Sequence, residues 1–327
     1  MTHPAFAALA ALPSKLPRST TPLVRRLAIA SLVSQIVIVV TGGAVRLTAS
    51  GLGCPEWPRC TPDSIVSTPE MGIHGLIEFG NRLLTFVLVL IAVAMIGALW
   101  NLRGERRDLF RLAVALFAGI PVQAVIGGIT VWTGLNPWIV GWHFLVSMVL
   151  VVLATLLVNR ARLTTAQSAA DLPRAAPPTM RRLLGAIAAL TGIIVVLGVI
   201  VTGSGPHAGD HGAARNDLDP ELMTKLHAAP VYLLVIAVAL AVVLALRWAV
   251  SPRLRRALLL LAVVVLAQGA VGYAQHFLNL PVALVALHML GASVLTAAAA
   301  HAVYVGVTRQ PEQGAGQRTR EPAQQHR

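Results

Sequence analysis

Two stretches of the chain repeat the same polar residues at one spacing, and each ends in a histidine set inside an apolar run. Gln123, Gly127 and His143 recur as Gln268, Gly272 and His288, all at an offset of 145 residues. The first histidine sits in GWHFLVSMVL and the second in ALHMLGASVL. An imidazole in such a run that faces a bundle interior is a default candidate for function, and a duplicated one is hard to ascribe to packing alone. A further position, His227, matches Asn81 at an offset of 146. His227 and His288 fall on alternate helices at matched depth. Two neutral imidazoles facing one another across a four-helix bundle can hold a low-spin haem iron. Zinc needs a fuller ligand set, and no Cys or carboxylate lies at that depth in this half. A lone intramembrane histidine is more often a polar packing residue; the repeat-related pair shifts the balance to ligation.

The elements that must position these residues follow from composition. Of 327 residues, 56% are hydrophobic and 12% charged, with a mean hydropathy of +0.73, too little polar surface for a soluble domain of this size. Runs long enough to cross a bilayer, about 20 apolar residues each, lie near 26–45, 77–99, 110–132, 139–158, 183–202, 228–247, 256–275 and 282–306. They predict an all-α integral membrane protein with eight transmembrane helices. The net charge of +13 does not point to nucleic acid, because of where it falls. With the N-terminus placed in the cytoplasm, 21 of the 26 Lys and Arg lie on that side, leaving Arg46, Arg59, Arg82, Arg215 and Lys225 in or beside the opposite loops. That is the positive-inside bias, and it predicts that both termini are cytoplasmic. Trp132, Trp138 and Trp142 fall at predicted outer helix ends and Trp100 and Trp248 at inner ones, as an aromatic belt would. Residues 1–26 make a poor signal peptide, since the apolar run that follows is longer than an h-region. The tail from Thr308, rich in Gln, Arg, Pro and Gly, reads as disordered.

The repeat predicts the architecture. Thr-Gly-Gly at 41–43 matches Thr-Gly-Ser at 202–204, Asn81 matches His227, Gln123 matches Gln268 and His143 matches His288, with offsets of 161, 146, 145 and 145. The change of offset after the first match falls in the first outer loop, which is longer in the N-terminal half. An even number of helices per repeat sends both halves into the membrane in the same direction. Two four-helix bundles related by a pseudo-twofold axis along the membrane normal are therefore expected. The expected units are an N-terminal bundle at 1–159, a basic, Pro- and Ala-rich cytoplasmic linker at 160–182, a C-terminal bundle at 183–307 and the tail at 308–327.

Helix two brings Glu78, Asn81 and Arg82 to the depth of the histidines. Glu78 reads either as one half of an ion pair with Arg82 one turn on or as a group that relays protons and stabilises charge. Cys54 and Cys60, the only cysteines, share the first outer loop, where a disulfide can form and persist. They read as a structural staple, as a redox-active or haem-handling pair, or as free thiols. The loop TGSGPHAGDHG carries His207 and His211, read as solvated loop residues or propionate contacts. His276 and His301 read as interfacial or packing residues, and His3 and His326 lie in the terminal segments.

The strings IHGLIEFGNRLLT (73–85), SGLGCPEWPRC (50–60) and TGSGPHAGD (202–210), taken with His143, His227 and His288, resemble the haem A synthase family over nearly all of residues 24–306. The resemblance implies an eight-helix membrane enzyme that oxidises the C8 methyl of haem O to the formyl group of haem A, by successive hydroxylations, for terminal oxidase assembly. It implies a haem B cofactor held by His227 and His288 in the C-terminal half. The substrate, haem O, would sit in the N-terminal half near Glu78 and His143, with Arg46, Arg82 and Arg215 as candidates for its and the cofactor's propionates. The implied partners are haem O synthase, oxidase assembly factors, and quinol or another electron donor. The setting is the lipid of the cell membrane, with the haem sites toward the extracytoplasmic side and a homo-oligomer open.

One position departs from that family. Many members carry a histidine three residues after the glutamate, where this chain has Asn81, a poor ligand for haem iron. Either His74, on the helix face of Glu78 but about 10 Å nearer the surface than Asn81, takes that place, or His143 alone holds the iron and leaves an open coordination position. The second suits a site that must release its product. The main rival function is a b-type cytochrome that passes electrons from quinol without oxidising a substrate, for which a second complete histidine pair is expected. A prenyltransferase needs Asp-rich motifs on the cytoplasmic side, and only Asn-Asp-Leu-Asp-Pro-Glu (216–221), an outer segment, comes near. A transporter, which parallel repeats would suit, gives no reason for histidines at matched positions.

Overall fold

The computed structural model describes residues 19–163 and 176–308. His3, His326, residues 164–175 of the expected linker and the tail expected to be disordered beyond Thr308 lie outside the described residues. Among the described residues the long elements are all helices: α1 (Pro22–Leu47), α2 (Gly72–Leu99), α3 (Arg107–Trp132), α4 (Pro137–Ala161), α5 (Pro178–Ser204), α6 (Pro220–Arg247), α7 (Pro252–Phe277) and α8 (Val282–Val307). Single 3-10 turns, Pro69–Met71 and Trp100–Leu102, flank α2. All eight helices are long and apolar enough to cross a membrane. A helix satisfies its own backbone polar groups, which is what an apolar bilayer demands, and the chain is a multi-pass membrane protein.

The apolar runs mark the middles of these helices and miss their ends. Proline stands at the start of α1, α4, α5, α6 and α7, where its missing N–H would have had no helical partner in any case. Thr21, Asn136, Asp219 and Ser251 cap by accepting from the amides of Val24, Trp138, Leu222 and Leu254. Helix α6 thus begins at Pro220 rather than 228, and its exposed first turns carry the Glu221–Lys225 pair at 2.6 Å. His227, expected at the start of that helix, is instead two turns inside it. Helix α4 runs to Ala161 and α5 starts at Pro178, so the expected 160–182 linker is shortened at both ends.

In the first half α1 packs on α2 and α4, and α3 packs on the same two; in the second half α5 and α7 each pack on α6 and α8. The halves meet where α1 and α4 lie against α8, and α4 against α5. Tight apolar packing is concentrated at one end of each half, the basal end, where α1 and α5 start and α4 and α8 finish. Val24, Ala28, Leu99, Leu109 and Leu157 are wholly buried there in the first half, and Met180, Leu184, Leu254, Leu258 and Val305 in the second. Between apolar helices in lipid, such interlocking supplies van der Waals energy rather than a hydrophobic drive.

Polar staples close both ends. At the basal end the fully buried Arg106 donates to the carbonyls of Leu163 (2.8 Å) and Arg160 (2.9 Å) and pairs with Asp108 at 3.0 Å, tying the start of α3 to the end of α4. Nearby, Nδ1 of His301 on α8 meets Oδ1 of Asn159 on α4 at 2.7 Å. At the opposite, apical end Arg46 of α1 crosses to the other half, donating to the carbonyls of His207 (2.6 Å) and Thr202 (2.8 Å). The amide of Gly51 donates to the carbonyl of Gly209 beside it at 2.8 Å. Arg106→Ala strips Asp108 and two helix-end carbonyls of their donor and is expected to cost about 3 kcal/mol of stability. Thermal unfolding in detergent reads this as a Tm several degrees lower, with the exposed Arg26→Ala as an unaffected control.

Candidate functional site

His227 is the eighth residue of α6 and His288 the seventh of α8, so both lie near the apical end. Their rings face each other with centroids 6.5 Å apart and planes at 74°. Each ring stands against a glycine of the preceding helix. A Cβ on Gly198 of α5 would come within 3.1 Å of Cε1 of His227, and one on Gly272 of α7 within 3.3 Å of Cε1 of His288. The Nδ1 atoms of both rings are buried; that of His288 finds no hydrogen-bond partner among the described residues, and His227 has only the backbone of Ile194, one turn from Gly198, within polar reach. Unpaired buried polar atoms are rare in folded proteins. Gln268 does not serve the ring: its Nε2 donates to the backbone carbonyl of His288 at 2.9 Å.

The first half repeats this geometry. His143 is again the seventh residue of its helix, and a Cβ on Gly127 would again come within 3.3 Å of its Cε1. Gln123 Nε2 donates to the carbonyl of His143 at 3.1 Å and also to Ser147 Oγ. Nδ1 of His143 is likewise buried and unpaired. Asn81 of α2 stands against Gly42 of α1, whose Cβ would be 3.9 Å from Nδ2, and its Oδ1 is a further buried, unpaired atom. All four positions thus follow one rule: a polar side chain on one helix faces a glycine on the helix before it. The duplicated Gln and Gly of the sequence repeat now have physical roles, the first holding the histidine's peptide group and the second leaving room for its ring.

Over the apical mouth of the first half lies the loop closed by the Cys54–Cys60 disulfide, both cysteines wholly buried. Glu78, 6% exposed, accepts from the Cys54 amide at 2.6 Å and from Arg82 at 2.5 Å. Arg82 also donates to the carbonyls of Cys54 (3.1 Å), Glu56 (3.0 Å) and Arg59 (2.9 Å). The indole of Trp57 lies flush on Gly128, leaving no room for a Cβ there, and meets Trp132 edge-on at 5.4 Å. The ion-pair reading of Glu78 is therefore realised, with a second partner in the Cys54 amide, and the guanidinium of Arg82 is committed to the loop. His74 is exposed and its Nδ1 lies 2.9 Å from Ser50 Oγ, at the loop rather than beside Asn81.

The other candidates are spread over the apical surface and the helix ends. His207 bonds the carbonyl of Leu280 at 3.1 Å and so anchors its loop to the α7–α8 turn. Arg215 donates to the carbonyls of Ala213 and Pro206. Together with Arg46, Asp210 and His211 these residues line a polar cavity of about 220 Å³. His276 packs on Phe277 with ring centroids 5.4 Å apart. Gly42, which faces Asn81, belongs to the repeated Thr-Gly motif, whereas Gly198, which faces His227, corresponds at that offset to Val37, so the repeat does not flag it.

Fold and site together define a multi-pass helical membrane protein with histidine-lined interiors near one end of its bundles. Residues 25–209 match the sequence model of the COX15-CtaA family, cytochrome oxidase assembly protein, and the chain belongs to that family. Among its relatives are proteins named heme A synthase from Geobacillus thermodenitrificans, 31% identical over 134 residues (38% of this chain and 40% of the relative), and from Lysinibacillus sphaericus, 33% identical over 125 residues (37% and 39%). A third, from Geobacillus kaustophilus, is 32% identical over 150 residues (44% and 46%). The chain thus spans less than half the length of these curated relatives.

The clamp on the disulfide loop makes a direct prediction. Arg82→Ala removes the donor to three loop carbonyls and to Glu78, so the loop is expected to open. Reduction of the disulfide by dithiothreitol, followed by maleimide mass-tagging, should run several-fold faster than in the parent; an unchanged rate would show that the loop is held without the arginine.

Proposed function

We propose that this chain is a haem A synthase, oxidising the C8 methyl of haem O to the formyl group of haem A by successive hydroxylations. The observation that carries the reading is the facing pair of His227 and His288. Two imidazole nitrogens each about 2 Å from one metal place the ring centroids roughly 6 Å apart, close to the 6.5 Å between these rings. The donor set fits a haem better than a bare ion: among the described residues no group of three or more His, Cys, Asp and Glu could hold a metal, whereas a porphyrin brings its own nitrogens. Family membership and the relatives named heme A synthase support the reaction class.

On this reading residues 183–307 are the cofactor half, a pseudo-twofold partner of the substrate half at 1–159. His227 and His288 hold haem B, which supplies one-electron transfer when bound. In the substrate half His143 binds the haem O iron, with its ring plane set by Gly127 and its backbone by Gln123. The clamped 54–60 loop excludes water from the apical mouth. Glu78, held in place by two hydrogen bonds one turn from Asn81, stabilises charge or holds a proton near the carbon being oxidised. With the N-terminus in the cytoplasm, the apical end faces the extracytoplasmic side, where each hydroxylation would take dioxygen as oxidant and two electrons from quinol or another membrane donor, leaving one oxygen atom on the carbon and the other as water. Haem O synthase and oxidase assembly factors are the partners that the substrate and product require.

The test is a haem extract from membranes of a host that makes haem O but no haem A, with and without this chain, separated by chromatography and weighed by mass spectrometry. Haem A or its hydroxylated intermediate should appear only with the chain. Haem B alone, with haem O untouched in a haem-loaded preparation, would replace the reading with an electron-carrying b-type cytochrome. The two sites are separable by variants. His227→Ala, His288→Ala and Gly272→Leu should each remove the low-spin haem B spectrum, the last by driving a side chain into the His288 ring. Gly127→Leu should leave that spectrum intact and lower the content of haem O per protein instead.

A further inference from the structure

Asn81 stands in the first half where His227 stands in the second. The repeat matches the two positions, their helices pack on corresponding neighbours, α2 on α1 and α3 and α6 on α5 and α7, and each faces a glycine of the preceding helix. His143 and His288 correspond as closely, at the same helical position, the same 3.3 Å approach to the facing glycine and with the same glutamine on the backbone carbonyl. The counterpart of the His227–His288 pairing is therefore Asn81 set across the bundle from His143.

Among the described residues no second imidazole takes that place. His74 is exposed, bonded to Ser50 at 2.9 Å, and seven residues from Asn81, about 10 Å along the helix. A carboxamide is a poor donor to haem iron but a good hydrogen-bonding group, and by turning over it presents either its N–H or its C=O. Its Oδ1 is buried with no partner among the described residues. It is also shorter than an imidazole, so at the matched position the substrate half carries a smaller side chain than the cofactor half.

We propose that this chain holds the iron of its porphyrin substrate through His143 alone, and that Asn81 walls the open coordination position and hydrogen-bonds a diatomic ligand there. The proposal rests on the reading of the first half as the haem O site. It divides labour between the halves. An iron with two histidines is coordinatively saturated and suited to electron transfer, whereas one histidine plus a polar opposite wall is the arrangement that admits small ligands.

The probe is carbon monoxide, added to the reduced full-length protein purified from a host supplying haem B and haem O. One of the two haems is expected to shift its absorption spectrum with carbon monoxide, and to be the one lost in His143→Ala. Asn81→His should turn that haem low-spin and weaken carbon monoxide binding roughly tenfold or more. Asn81→Ala should keep the binding but raise the infrared C–O stretching frequency, since a hydrogen-bond donor is removed; this variant carries the test should the bulkier one fail to fold. Two haems that are both low-spin and inert to carbon monoxide would overturn the proposal and leave the proposed function standing, as would an Asn81→Ala stretch identical to the parent's. A parent that retains a single haem, lost with His227→Ala, would overturn the haem O reading itself.

Discussion

Space beside an imidazole ring is the constraint around which this protein is built. A histidine inside a membrane-spanning bundle is tolerated only where its nitrogens have something to bond, because an unpaired polar group in an apolar medium costs several kcal/mol. Among the described residues the Nδ1 atoms of His143 and His288 have no hydrogen-bond partner and His227 has only the Ile194 backbone in reach, and each of the three rings lies on a glycine where any side chain would press on it. The rest of the helix packing accommodates these rings. The interlocked leucines and alanines sit at the basal end of each half, so that the apical end is free to be polar inside. A uniformly packed bundle would be more stable and would have no site.

The two apical ends are closed by different means. In the first half a disulfide-braced loop is pinned by Glu78 and Arg82, whose charged groups bond to the loop's backbone as well as to each other. A partly buried ion pair is weak evidence for stability by itself; what it does here is position, since both carboxylate oxygens and several guanidinium protons are spent on fixed partners. In the second half the shorter 205–219 segment is held by Arg215, by Asn216 and, from across the interface, by Arg46. The loop of one half is therefore anchored by a helix of the other, and neither mouth is shaped by its own half alone.

The helices, the repeat and the matched polar positions were all legible in the sequence because they are local or periodic: an apolar run of bilayer length, a fixed offset, a histidine within it. What escaped was contact between distant residues. Nothing in the string reveals that the Glu78 carboxylate accepts from the Cys54 amide, that Arg106 is the basal staple, or that Gly198 backs His227, for these join residues tens of positions apart with no spacing rule. Helix ends were misjudged for another reason. A capped and proline-started first turn, such as Asp219-Pro220, is polar and continues past the apolar run that marks the bilayer. The role of the duplicated glutamines is not legible in the string, because a side chain serving its neighbour's backbone leaves the same sequence trace as one serving a ring.

The Thr-Gly motif shows how one inherited feature does two jobs. In the second half Gly203 is the place where the Asn216 side chain packs, its amide nitrogen 2.9 Å from where a Cβ would be, and the motif serves loop closure. In the first half the consecutive glycines face two directions. Gly42 stands toward Asn81, while a Cβ on Gly43 would come within 2.8 Å of the Sδ and Cε of Met289, the residue after His288. At this depth α1 is a wall between the two interiors, and the glycine pair thins it to bare backbone of about 2.3 Å radius. A β-carbon on Gly42 would only touch Asn81 at ordinary contact distance, whereas one on Gly43 would force the tip of the Met289 side chain to move. Methionine suits the contact because its flexible thioether fills an irregular gap without fixing the distance. The interior lined by one histidine and the interior lined by two are thus separated by little more than a helix backbone.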